Sequence, residues 1–237
     1  MDTTSPPQAA RGWSSGVIRA APIVLGYMPI GIAFGVLAHK AHISALNTLL
    51  MSVLVFAGSA QLIAVGMFAG GASAPSVVAT TFVVNLRHLL MSASLAPFLK
   101  RWRPLELATF AFQLTDETFA SHSARFPSAL PDKAEVLALN MTAQTAWVFG
   151  TWLGIVAGQI VADVEPLALD YALPAMFIAL LVLQIGDRLQ VAVALLSGAA
   201  VVGLLLLGVG QWSVIVATVI GATLGVVLET WIKKPSS

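Results

Sequence analysis

Three polar clusters stand inside otherwise apolar sequence, and each has residue types and a spacing that chemistry can use. Asn85-Leu86-Arg87-His88 falls in the middle of a long apolar stretch, where an unpaired guanidinium is costly on any scale. Arg87 therefore needs a partner: an acid in a fixed ion pair, the carboxylate of a substrate, or an acid in a proton-coupled pair. Asn85, His88 and Ser92 share one helical face at i, i+3 and i+7 and suit the wall of a polar path. His88 is of the residue type that titrates near neutral pH. Leu114-Thr115-Asp116-Glu117 sets two carboxylates side by side; they repel unless one binds a proton, so they read either as a protonatable site or as a solvated helix end. Gly58-Ser59-Ala60-Gln61 is small enough to let a helix unwind and offer free amides and carbonyls to a zwitterion, with Gln61 beside them. Tight helix packing is the other use of such a run.

The candidate substrate-binding or translocation residues are thus Gly58, Ser59, Gln61, Asn85, Arg87, His88, Asp116 and Glu117, with His88, Asp116 and Glu117 as candidates for proton coupling. Asn140 and Gln144 are one turn apart and extend the polar path. No catalytic residue, metal or cofactor is called for. Paired acids or a His could serve an intramembrane enzyme, but the chain has no His-Glu-x-x-His. A scaffold using its polar residues only to lock helices is the remaining alternative to a transporter.

The elements that must hold these residues follow from composition. Of 237 residues, 58% are hydrophobic and 10% charged, against roughly 45–50% and 25% in a soluble domain. The partner is a lipid bilayer, and the apolar runs are continuous rather than alternating, so the fold class is an all-α polytopic integral membrane protein and not a barrel. The absence of cysteine removes disulfides and thiol chemistry, and a net charge of +1 argues against nucleic acid.

About seven transmembrane helices are expected, over Val17–Ala38, Ile43–Ala69, Ser76–Leu99, Val136–Ala162, Leu167–Ile185, Leu189–Gly208 and Trp212–Trp231. Residues 1–16 read as a disordered lead, 17–232 as one transmembrane domain and 233–237 as a tail. Within 100–135, the segment Pro104–His122 carries Glu106, Asp116 and Glu117 and reads as an amphipathic or re-entrant helix bordering a polar cavity.

The seven-span reading places Lys40, Lys100, Arg101, Arg103, Arg125, Lys133, Arg188, Lys233 and Lys234 inside and only Arg11 and Arg19 outside, with the N-terminus outside. A shift of 123 residues aligns Gly31-Ile32 and Gly35 with Gly154-Ile155 and Gly158, and Gln61 with Gln184. The basic turn at His39–His42 then corresponds to the acidic turn at Ala162–Glu165, and opposite membrane faces follow if both obey the charge rule. Two inverted three-helix repeats, 17–99 and 136–208, with 212–231 as a final helix, are the expectation, with substrate between the halves.

Pro22-x6-Pro29-Ile30-Gly31-Ile32-Ala33-Phe34-Gly35, Ala57-Gly58-Ser59-Ala60-Gln61, Asn85-Leu86-Arg87-His88 and Leu114-Thr115-Asp116-Glu117-Thr118-Phe119-Ala120 follow one another in an order that resembles the AzlC family over residues 17–232. The resemblance implies a large subunit of a branched-chain amino acid exporter of the bacterial plasma (inner) membrane. It also implies a small hydrophobic amino acid as substrate and a separate small AzlD-type membrane subunit as partner. The residue types suit that substrate: Arg87 for a carboxylate, Asp116 or Glu117 for an ammonium, Phe and Met for an apolar side chain. The same types would serve methionine or a small organic anion.

Overall fold

The computed structural model describes residues 12–128, 130–160, 187–209 and 212–232, with isolated positions between 171 and 185. The chain forms two compact units, Met1–Met176 and Phe177–Ser237, and all three polar clusters lie in the first. Its helices are α1 (Trp13–Lys40), α2 (Ala45–Leu50) running into a π-helical turn (Met51–Val55), α3 (Gly58–Ala69), α4 (Ala74–Leu95), α5 (Pro104–Phe112), α6 (Asp116–Arg125) and α7 (Lys133–Ile160). The second unit contributes α8 (Arg188–Leu206) and α9 (Trp212–Ile232).

α1 and α7 form the spine of the first unit. Both are 28 residues long, long enough to cross a bilayer, and α1 continues through Pro22 and Pro29. Small residues hold them together: a Cβ on Gly31 would lie 3.1 Å from the Trp147 carbonyl oxygen, and one on Gly150 would lie 3.0 Å from that of Met28. Backbones this close gain dispersion where lipid offers no hydrophobic drive between helices. The two helices run the same way, because Arg19 pairs with Glu135 at 3.2 Å and Gly158 lies against His39 at the other extremity. The extremity with Trp13 and Lys133 is called the near end below, and that with Lys40 and Ile160 the far end.

Ile43–Ala69, expected as one crossing, is instead a hairpin that enters from the far end and returns to it. Phe56 adopts a left-handed conformation with φ 45°, which reverses the chain after the π-helical turn. The Gln61 amide donates to the Ser52 hydroxyl at 3.2 Å, so the descending and ascending arms stand at equal depth. Its tip, Phe56-Ala57-Gly58, reaches halfway along the spine, where Phe56 meets Tyr27 edge-on at 6.2 Å and Gly58 abuts the Trp147 ring.

α4 then runs from the far end to the near end, where Leu95, Leu99 and Trp102 join a buried cluster with Phe110, Phe126 and Val136. Residues 104–125 form a second hairpin, the re-entrant expectation made of two helices rather than one. At its start Glu106 pairs with Lys133 at 2.6 Å, and at its finish Arg125 pairs with Glu135 at 3.0 Å. Both outer ends therefore meet the first turns of α7, while the tip at Gln113–Thr115 reaches mid-spine. There Gln113 donates to Gln144 at 2.9 Å and Gln144 donates to the Val53 carbonyl at 3.1 Å, tying the two tips to one side chain of α7.

Two expectations are corrected by this geometry. The shift of 123 residues pairs α1 with α7, which run parallel, whereas inverted copies would run oppositely; what the two segments share is a small-residue packing face. Arg19 lies at the same end as Arg125 and Lys133, not on the opposite side. With the first hairpin returning, one of the seven expected crossings is lost. Helix α1 also begins a turn before the expected Val17, and the expected span Leu167–Ile185 lies mostly outside the described residues. Trp13–Lys40, Ala74–Phe98 and Arg188–Leu206 are long and apolar enough to cross a membrane. In the second unit α8 and α9 pack antiparallel, Gly221 against Ser197 and Gly225 against Val193, and Asp187 caps α8 by accepting from the Gln190 amide at 2.8 Å.

Candidate functional site

The two hairpin tips and the midpoint of α4 converge on one small cavity lined by Tyr27, Phe56, Ala57, Gly58, Ser59, Arg87, His88, Thr115, Asp116, Glu117 and Trp147. It has room for about one water. Arg87 is the hub: its Nη1 meets Asp116 Oδ2 at 2.9 Å, its Nη2 donates to the Ser59 hydroxyl, and its Nε is buried without a partner. One cation thus joins the tip of the first hairpin to that of the second.

The adjacent acids are divided between different partners, which relieves their repulsion. Asp116 takes Arg87. Glu117 accepts from the Tyr27 hydroxyl at 2.6 Å, and that same hydroxyl sits 2.6 Å from Thr115 Oγ1. The Tyr27 hydroxyl has one proton and so donates to one of these two oxygens at a time. Thr115 also opens α6 as its N-cap, its hydroxyl accepting from the Thr118 amide while the Thr118 hydroxyl accepts from the Thr115 amide, a reciprocal cap that fixes the carboxylates at the tip.

Gly58-Ser59-Ala60 forms the first turn of α3, whose leading amides have no intrahelical acceptors and carry the positive end of the helix dipole. The run is where sequence reading placed an unwinding. Gly58 is required by space, since a Cβ there would come within 2.8 Å of the Trp147 ring. Gln61 lies one turn behind the cavity: it accepts from the Trp147 indole at 3.1 Å and donates to Ser52, and Ser52 meets Thr151 at 2.8 Å. It holds the wall rather than facing the space. His88 lines the cavity with its Nδ1 3.2 Å from the Asn85 carbonyl, and the Asn85 side-chain oxygen has no partner.

Sequence reading missed Tyr27, Phe56 and Trp147. A buried tyrosine hydroxyl in an apolar span needs a polar partner, and Tyr27 is one of only two tyrosines in the chain, which is a usable signal. Phe56 and Trp147 have none, because an aromatic in an apolar run reads as packing. Among the described residues no cluster of His, Asp and Glu has the arrangement of a metal site.

A helical bundle of membrane-length helices with two returning hairpins, whose tips meet around half-buried charge, is a build that membrane transporters use. The chain belongs to the AzlC family: the family described as AzlC protein matches residues 22–161. It is similar to the inner membrane protein YgaZ of Escherichia coli, with 30% identity over 94% of this chain and 91% of the relative. An uncharacterized membrane protein of Archaeoglobus fulgidus is 32% identical over 88% of this chain and 92% of its own. The branched-chain amino acid transport protein AzlC of Bacillus subtilis is 27% identical over 90% and 82%. No solved structure matches. The chain is a membrane transporter of this family.

Proposed function

We propose that this protein exports branched-chain or similar hydrophobic L-amino acids across the bacterial inner membrane, as a large subunit beside a small AzlD-type partner and in exchange for protons. The observation that carries the reading is the convergence of one cation, two acids, a free helix start and aromatic walls on a single mid-depth cavity. The choice of substrate rests on the name of the Bacillus subtilis relative.

A zwitterion uses each group once. Its carboxylate takes Arg87 and the first amides of α3, where a helix start favours an anion. Its ammonium takes Asp116 or Glu117, and its apolar side chain lies against Phe56 and Trp147. The cavity admits no amino acid with both tips in place, so one tip withdraws at a time. Withdrawal of the first hairpin opens the site to the far end, and withdrawal of the second opens it to the near end. The near end carries Arg19, Lys100, Arg101, Arg103, Arg125 and Lys133 against Lys40 at the far end, so the near end is cytoplasmic.

The test is efflux of labelled leucine, valine and methionine from preloaded cells expressing the chain alone, then with a small AzlD-type subunit, with and without an uncoupler. Faster, uncoupler-sensitive leucine and valine efflux that needs the partner supports the proposal. Efflux of methionine alone moves the substrate, and no efflux of any of the three with the partner present overturns the reading.

A further inference from the structure

We propose that Gln144 is the shared latch of the two gates, a positioning residue outside the cavity whose single amide seats both hairpin tips. The inference deepens the transporter reading and rests on it. Val53 lies in the π-helical turn just before the reversal at Phe56, at a helix end whose last carbonyls have no intrahelical donors. A carbonyl only accepts, so Gln144 turns its nitrogen to the Val53 oxygen, 3.1 Å away, and its own oxygen to the second hairpin. That oxygen needs a donor, and Gln113, which ends α5 as its C-cap, supplies its amide nitrogen at 2.9 Å. The direction of the whole relay is thus set by one backbone carbonyl.

Two features set this tie apart from the one Arg87 makes. Arg87, Ser59 and Asp116 line the cavity, where a substrate carboxylate and ammonium compete for them, so that tie yields to substrate. Gln144 and Gln113 are not among the lining residues, and their bonds stand whether the cavity is filled or empty. Those bonds are also neutral, roughly half as strong as charge-assisted ones, which suits a contact that breaks and re-forms in every cycle.

Neither tip has a substitute for the amide. Gln113 is 6% exposed and its side-chain oxygen is buried without a partner, so among the described residues Gln144 is all that its side chain holds. Without Gln144 a buried amide is stranded on the second tip and a helix-end carbonyl on the first, and each seated position loses stability relative to its withdrawn one, where water reaches the group. One side chain therefore sets how often both gates open.

The experiment uses the full chain carrying Ala57→Cys, a thiol on the cavity wall of a cysteine-free protein. Its rate of modification by an impermeant thiosulfonate is read without substrate from each side of the membrane, in intact cells and in inverted vesicles. Gln144→Met, close to glutamine in volume, is expected to raise both rates by about fivefold to tenfold. Gln113→Met raises the near-end rate alone by the same factor, and the double variant matches Gln144→Met at both ends, because the tie is already cut. A rate unchanged at either end in Gln144→Met overturns the shared latch, as does a double variant whose near-end rate exceeds that of Gln144→Met. Should Gln144→Met fail to assemble, Gln113→Met decides: a faster near end alone supports the latch, and both ends or neither overturns it. The rates need no leucine, so a failed efflux assay sinks the transporter reading, and a failure here sinks the latch alone.

Discussion

At the scale of single residues, Arg87 is the only cation between the two tips among the described residues, and its loss strands a carboxylate. Truncating one member of a hydrogen-bonded charge pair costs about 2–5 kcal/mol, much of it for the partner left behind. Arg87→Gln is therefore expected to lower leucine efflux by about a hundredfold and to reduce the amount of folded protein. The double variant Arg87→Gln/Asp116→Asn recovers folded protein, seen as a single gel-filtration peak, without recovering efflux. A fixed structural pair would recover both. Tyr27→Phe keeps the ring against Phe56 and Trp147 but removes the donor to Glu117; with a charged hydrogen bond worth about 1.5–3 kcal/mol, efflux falls between about tenfold and a hundredfold at unchanged expression. Arg87, Asp116 and Glu117 were legible in sequence because ionised groups in apolar runs have few physical excuses. Gln61 was legible as important but not as a wall, since nothing in its spacing says whether it faces the cavity or the Trp147 indole.

At the scale of elements, the two hairpins show what sequence can and cannot signal. The break in the second hairpin is written in Thr115-x-x-Thr118 and in the acids around it, which end one helix and cap another. The first hairpin is invisible: two half-length apolar arms use about as many residues as one crossing, and Val-Phe-Ala-Gly has no polar marker. Because the chain has no cysteine, a Glu106→Cys/Lys133→Cys pair is expected to be bridged by a bifunctional thiol reagent long enough to stand in for the two side chains, whose ends now meet in an ion pair at 2.6 Å. A second hairpin that crossed the membrane would keep those positions apart. The Glu106 carboxyl is held below its usual value of 4.5, first by the Lys133 ammonium and then by the Arg103 amide. A lowered folded pKa means stability that is present above 4.5 and is lost as pH falls through the lower folded value. The unfolding temperature of Glu106→Gln should sit below that of the unmodified protein at neutral pH and meet it in acid. Gly154→Val presses a Cβ carrying two methyl groups onto the Ile32 backbone, and overpacking of about 1–3 kcal/mol or more should appear as lost expression.

At the scale of the whole molecule, a full-length helix followed by a hairpin occurs twice in opposite sense. α1 runs to the far end and a hairpin re-enters there; α4 runs to the near end and the next hairpin re-enters there. This antiparallel relation, between 13–69 and 74–125, has the logic of an inverted repeat, but it is not the 123-residue shift seen in sequence. The shift was misleading because glycine spacing repeats wherever helices touch closely, whatever their direction. Outward-facing Val78, Phe82, Leu89 and Leu90 on α4 are each about two-thirds exposed, as a surface bathed in lipid requires. Orientation follows from charge. Cysteines placed at Lys100 and Ser128 should react with an impermeant reagent only from the cytoplasm, and one at His42 only from outside.

The central claim is that leucine occupies the space between the tips. Ala57→Cys puts a thiol into that wall of an otherwise cysteine-free chain, and the rate of its modification by a small thiosulfonate reagent measures occupancy. The account predicts that leucine and valine slow the reaction in a saturable way and that lysine and glutamate do not. A rate unchanged at saturating leucine would contradict it.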